Sequence, residues 1–174
     1  MGTYWQGLLL QPDCHACPLR GSTMVLPNGP IPTKLCFVGE GPGRSEVAQG
    51  QGFVGDSGKV LWKLAAAYEA HRDDIWVTNA ALCAPRDVTL TTGAVLPLKQ
   101  VKDLSVNACR RRLIYELLYV TGGDPTAVIV PIGNLALRAL CDRKNATIYK
   151  YRGAVMEVDL PKLWQEVSQQ QAAW

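Results

Sequence analysis

Histidine is scarce in this chain, with only His15 and His71 among 174 residues, and no His-Pro dipeptide occurs. Phenylalanine is equally rare, at Phe37 and Phe53. No apolar run approaches the roughly 20 residues of a membrane span, which excludes a crossing helix. The opening MGTYWQGLLLQPD has neither a basic segment nor a small-residue cleavage site, so no secretion signal is expected. Internal repeats and low-complexity tracts are missing as well; Gln169-Gln170-Gln171 is too short to count. Neither sign of charge dominates: 18 basic against 15 acidic residues give +3, a mildly basic balance compatible with DNA but no signature of it. What is present is a hydrophobic fraction of 48% at a mean hydropathy of +0.01, the composition of a soluble globular protein. The length predicts one domain over residues 1–174, enough to bury a core. Six cysteines without a secretion signal point to a reducing compartment, where thiols bind metal more often than they pair.

The stretch Leu35–Gly58, LCFVGEGPGRSEVAQGQGFVGDSG, organises the remainder. Leu35 to Val38 is an apolar run of strand length. Gly39, Gly41 and Gly43 flank Glu40 and Pro42, so the backbone there can turn sharply and approach a ligand. Gly50, Gly52, Gly55 and Gly58 leave Phe53 as the one large ring in the loop, suited to stacking a flat ligand beside a phosphate. Asp56 or Ser57 can cap a helix running to about His71, with Val60, Leu61 and Leu64 on its apolar side. The free N–H groups at its start would suit a phosphate. Ile75–Thr78 reads as the next strand, ending at Asn79. A helix from about Leu104 to Tyr119, a strand over Ala127–Val130, a helix over Leu135–Cys141, a strand over Ala154–Val158 and a helix over Leu160–Gln171 follow. Alternating strands and helices predict a mostly parallel α/β sheet of four strands, with ligands gathered at the strands' carboxyl ends. Gly39 and Asn79 both lie just past such ends.

Cys14-His15-Ala16-Cys17 has the C-x-x-C spacing that lets two sulfurs converge on one metal centre, although two ordinary loop cysteines would look the same. Cys83 and Cys109 are further candidates. Cys36 falls inside the first strand and Cys141 on an apolar helical stretch, the surroundings of inert core thiols. Cys14, Cys17, Cys83 and Cys109 therefore form a candidate four-thiolate set, and zinc suits such a set as well as iron–sulfur. Arg110, Arg111 and Arg112 read either as contacts to a DNA backbone or as a solvated helix face. Glu46 is a second candidate acid, most simply an exposed charge in a polar loop.

Gly39-Glu40-Gly41-Pro42-Gly43 followed by Gly52-Phe53-Val54-Gly55-Asp56-Ser57-Gly58 resembles the first motif and stacking loop of the uracil-DNA glycosylase superfamily. The pattern is most similar to its iron–sulfur branch, family 4, whose usual pentapeptide is Gly-Glu-Ala-Pro-Gly. The resemblance implies a three-layer α/β/α fold and excision of uracil from DNA by hydrolysis of the N-glycosidic bond. It implies Phe53 stacked on the extruded base and Asn79, after Thr78, testing its edge. Glu40 would position or activate water, Gly39 and Gly41 would line the substrate, and Ser57 with the Gly58 backbone would hold a DNA phosphate. The order of cysteines matches the ligands of a [4Fe–4S] cluster in that branch. Asp87 to Ser105 then reads as an insertion lengthening the gap between Cys83 and Cys109. The implied partner is uracil-containing DNA, single- or double-stranded, with no membrane. The protein would work as a monomer or as a module of a larger replication or repair protein, in a bacterial, archaeal or phage-infected cytoplasm.

One departure bears on catalysis. The family's last motif is a His-Pro loop whose histidine stabilises charge on uracil O2 and whose neighbours wedge into the duplex. Here Tyr151-Arg152-Gly153 resembles the segment upstream of that loop and Val158-Asp159-Leu160-Pro161-Lys162-Leu163 the segment that begins the last helix, with only a few residues between. Losing such a charge stabiliser costs roughly 10²–10³ in rate. The alternatives are therefore a crippled glycosylase and a non-catalytic uracil- or DNA-binding module, such as an accessory domain of a phage DNA polymerase. A small nucleotide-binding protein with a structural zinc is the third.

Overall fold

Apolar runs at Leu35–Gly39, Trp76–Asn79 and Val128–Ile132 form strands β1, β2 and β5 of a parallel sheet ordered β2-β1-β5 in a computed structural model that describes residues 12–141 and 145–171. β1 is central; Cys36 pairs with Trp76 on one side and with Ile129 on the other. Successive side chains of a strand point to opposite faces, and two cores result. Cys36, Val38 and Trp76 face one layer, made by Leu113, Ile114 and Leu117 of helix α3 (Leu98–Val120), Ala136 and Leu140 of α4 (Asn134–Leu140), and Leu160 and Val167 of α6 (Leu160–Gln171). Phe37, Val77 and Val130 face the other, where Leu61, Trp62 and Ala65 of α2 (Asp56–Ala66) pack. The layers are helix, sheet, helix, as expected.

The expected fourth strand does not form. Ala154–Val158 joins no sheet and takes no regular structure, with Val155 99% exposed, and the described residues hold three strands in this sheet. Pro131 explains why the open edge of β5 takes no further strand. Val128 N–H points inward to Lys34 O, so by alternation residue 131 turns its nitrogen outward, and proline has no hydrogen there to donate.

Helix boundaries shift too. α2 stops at Ala66 instead of reaching His71, and a turn carrying Glu69 at φ 58° leads to a 3-10 turn at Arg72–Asp74. Its buried side is Leu61, Trp62 and Ala65, whereas Val60 and Leu64 are each 59% exposed. Trp62 sets that rotation by stacking on Phe37 with ring centroids 5.8 Å apart. Two short helices, α1 (Arg44–Gln49) and α5 (Ile148–Tyr151), were not expected. The inserted stretch forms a small hairpin, β3 (Val88–Thr89) with β4 (Val95–Leu96), and then the first two turns of α3. α6 has its expected span, and Asp159 Oδ1 accepts from Lys162 N–H at 2.9 Å to close its first turn. No helix among the described residues is long and apolar enough to cross a membrane.

Candidate functional site

Gly39 and Asn79 are register partners at the carboxyl ends of β1 and β2. A Cβ on Gly39 would lie 2.3 Å from Asn79 Oδ1 and 2.9 Å from Phe53 Cζ, so the amide and the ring converge over this one backbone position. Any larger residue there would push one or both away. Asn79 is buried and Phe53 half-buried, the ring standing edge-on to Trp62 at 6.5 Å.

Phe53 holds the left-handed backbone conformation, φ 54°, which costs a non-glycine residue on the order of 1 kcal/mol or more. Its loop is fastened on both sides. The Phe53 carbonyl accepts from Trp62 Nε1 at 2.9 Å, and the Gly52 carbonyl accepts from Arg72 Nη2 at 2.7 Å. Arg72 also lies over the Trp62 ring at 4.7 Å. From the other side Glu46 accepts Gly55 N–H at 2.7 Å and the N–H groups of Val54 and Gly43 at 3.0 Å each. Burial pushes the Glu46 carboxyl up, but its backbone N–H donors outweigh that and hold it below the usual range. Glu46 is thus not an exposed loop charge: it is buried and splices α1 to the aromatic loop. Gly58 lets the first turn of α2 ride on this loop, since a Cβ there would meet Phe53 O at 2.1 Å. Ser57 is exposed on the same turn, and the N-cap position belongs to Gly55.

Glu40 points elsewhere. Its Oε1 accepts from Leu135 N–H at 3.1 Å, and its side chain occupies the space above Gly133, whose φ is 118°. A cavity of about 220 Å³ opens beside it, walled by Gly41–Gly43, Ala81, Pro85 and Lys102 among others but not by Phe53 or Asn79. Phe53 and Asn79 meet over Gly39, the residue just before Glu40, but neither lines the cavity beside Glu40. At Gly41 a Cβ would make only ordinary contact with the loop after β2, 3.6 Å from Ala81 O.

Cys14, Cys17, Cys83 and Cys109 line one cavity of about 190 Å³. Asp13 N–H donates to Ala108 O and Val25 N–H to Leu82 O, both at 2.9 Å, which brings the knuckle against α3 and against the loop after β2. Burial pushes the Cys83 thiol up to about 11, with Cys109, Cys17 and Cys14 adding to it; burial and then Cys109 and Cys17 raise Cys14 as well. A cationic centre in this cavity would favour the thiolate form that binds metal. Among the described residues no three His, Cys, Asp or Glu groups converge tightly enough to share one ion. Cys36 is a fully buried core thiol, raised by burial to about 12, and Cys141 donates to Leu137 O. His15 and His71 are both exposed, on the knuckle and before the 3-10 turn.

The three arginines are neither a solvated face nor a free set of DNA contacts. Arg110 Nε donates to Ala139 O at 2.9 Å, and Arg111 lies over the Trp164 ring at 5.4 Å. Arg112 is 0% exposed and pairs with Glu116, also 0% exposed. Its Nη2 donates to Asn79 O at 2.7 Å and its Nη1 to Thr78 Oγ1 at 3.2 Å. The sequence carried one signal for this, the (i, i+4) spacing of Arg112 and Glu116 on an otherwise apolar helix side.

The family model of the Uracil DNA glycosylase superfamily matches residues 26–168. A type-4 uracil-DNA glycosylase of Thermotoga maritima is 33% identical over 142 residues, covering 80% of this chain and 67% of that protein. One from Archaeoglobus fulgidus is 31% identical over 155 residues, 84% of this chain and 69% of its own. A third, from Pyrobaculum aerophilum, is 33% identical over 75 residues. With the sheet ends, the aromatic loop and the asparagine placed as described, this chain belongs to the uracil-DNA glycosylase superfamily.

Proposed function

We propose that the chain is a single-domain uracil-DNA glycosylase that hydrolyses the bond between uracil and deoxyribose, leaving an abasic site. The observation that carries this reading is the convergence of Phe53 and Asn79 over the side-chain-free Gly39. A target base must leave the stack to be read. Phe53 offers a fixed shelf for it, and the Asn79 amide can accept from uracil N3–H and donate to O4. Cytosine reverses that pattern, a mismatch worth roughly 1–3 kcal/mol and more where buried groups stay unpaired. Gly39 and Gly41 let the backbone approach the base, and the first turn of α2, at Ser57 and Gly58, holds the neighbouring phosphate. Glu40, tethered at one oxygen by Leu135 N–H, orients the attacking water with the other.

Cys14, Cys17, Cys83 and Cys109 hold a [4Fe–4S] cluster. Tetrahedral zinc needs four sulfurs at about 2.3 Å from one point. A cubane takes one cysteine per iron, and a C-x-x-C pair followed by two single cysteines on one cavity wall is the ligand order of the iron–sulfur branch that the sequence resembles. Bound there, the cluster would cross-link the knuckle, the loop after β2 and α3. Anaerobically purified protein should be brown with iron and sulfide in equal amount; colourless protein with one zinc would assign the site to zinc.

The test of the activity is an oligonucleotide carrying one uracil. Alkali-labile product is expected, at a rate roughly 10²–10³ below that of an enzyme with an imidazole at uracil O2. The short exposed segment at residues 152–159 favours one second reading, a module that binds uracil-containing DNA without turnover. Selective binding with no product would support that module, and absence of both would overturn both readings.

A further inference from the structure

We infer that Arg112 is a positioning residue for base choice: its guanidinium fixes the peptide at the end of β2 and, through it, the side-chain amide of Asn79. The inference rests on the reading of Asn79 as the group that tests the uracil edge.

β2 is the outer strand of the sheet, so its outward N–H and C=O groups need partners other than a strand. Asn28 supplies them upstream, accepting from Val77 N–H at 2.8 Å and donating to Val77 O at 3.0 Å. Two residues on, the same alternation turns the Asn79 carbonyl outward, and the Arg112 fork takes it at 2.7 Å while reaching Ala80 O at 3.3 Å. On the inner side Ala80 N–H donates to Gly39 O at 2.7 Å and Ala81 N–H to Glu40 O at 3.0 Å. The peptide is clamped from both edges at the one residue whose side chain must sit over Gly39.

Burying an ion pair does not account for Arg112. Apolar side chains of similar volume commonly stabilise such a place as well or better. Here Arg112 Nε finds no acceptor at all. What a guanidinium adds is direction, because its planar fork meets Thr78 Oγ1, Asn79 O and Ala80 O at fixed angles, which an ammonium cannot do. Glu116 balances the charge and ties the fork to the start of the strand by accepting from Trp76 Nε1 at 2.8 Å. The network spans β2 from its first residue to its last.

The test is a double-mutant cycle in the full metal-loaded chain, with Arg112→Lys, Asn79→Ala and the pair. Single-turnover cleavage of uracil oligonucleotides is measured against cytosine-containing ones. Arg112→Lys should lower kcat/KM for uracil roughly 10–100-fold and narrow the preference over cytosine. In the Asn79→Ala background the same change should cost less than about threefold, since its route of action is already gone. An additive cycle, or an undiminished preference for uracil, would overturn the inference and leave the glycosylase reading intact. Should Arg112→Lys fail to fold, Glu116→Gln enters the cycle in its place, with the same expectation at smaller amplitude. If the chain binds without cleaving, the cycle is read on the ratio of uracil to cytosine affinities. A parent chain that neither cleaves nor binds uracil-containing DNA overturns both claims together.

Discussion

Gly39 contributes to the site by what it leaves empty: the place of its missing methyl is filled by Asn79 Oδ1 and the Phe53 ring. Gly39→Ala should lower uracil cleavage or binding at least ~10²-fold while costing about 1–3 kcal/mol of stability, as overpacking does, and assay plus urea melt separate the two. Glu46 is the opposite case, a residue that matters for what it gathers. Its folded carboxyl sits below the usual value of 4.5, so its contribution is complete above that value and is lost as pH falls through the folded one. Glu46→Gln should therefore destabilise the protein by about 1–3 kcal/mol at pH 7, a gap that closes as the parent is titrated from 4.5 down through its lowered value and that parallel urea melts would reveal. The meeting of Gly39, Phe53 and Asn79 was legible in the sequence from the two glycine motifs around the lone ring and from the Thr78-Asn79 segment at a strand end. Glu46 was not, because the N–H groups that bury it come from residues three, eight and nine positions away.

Among the elements, β1, β2, β5 and α6 could be read from apolar runs and spacing, since each buries the face its pattern predicts. The strand expected at Ala154–Val158 had the right residue types, but whether it pairs depends on a neighbour's edge, and Pro131 closes that edge. The Arg110–Arg112 run misled for a similar reason: three charges in a row say nothing about the carbonyls and the ring that meet them. The β3–β4 hairpin stands apart from these elements. Val88 pairs with Leu96 and Thr89 with Val95, and most of its residues are exposed. Replacing Val88–Leu96 by a short Gly-Ser link should change stability by less than ~1 kcal/mol and leave metal content unaltered, as thermal melts and iron analysis would show.

At the scale of the molecule, a net charge of +3 with its arginine run turned inward leaves little for a polyanion. If about three phosphates are neutralised, affinity for a uracil oligonucleotide should fall no more than ~50-fold between roughly 50 and 200 mM salt, and a titration series gives the slope. A much steeper loss would mean that DNA is held by lysines and arginines outside the described contacts. Gly39, Asn79, Glu40 and the thiol cavity all belong to one end of the parallel sheet. The turn through Gly122 and Gly123 belongs to the other: it is exposed, and Asp124 just beyond it reaches Lys34, the residue before β1. A surface tether or fluorophore carried at the exposed Pro125, beside those two glycines, would leave the working end of the domain facing outward, so the fold comes with its own handle for immobilisation.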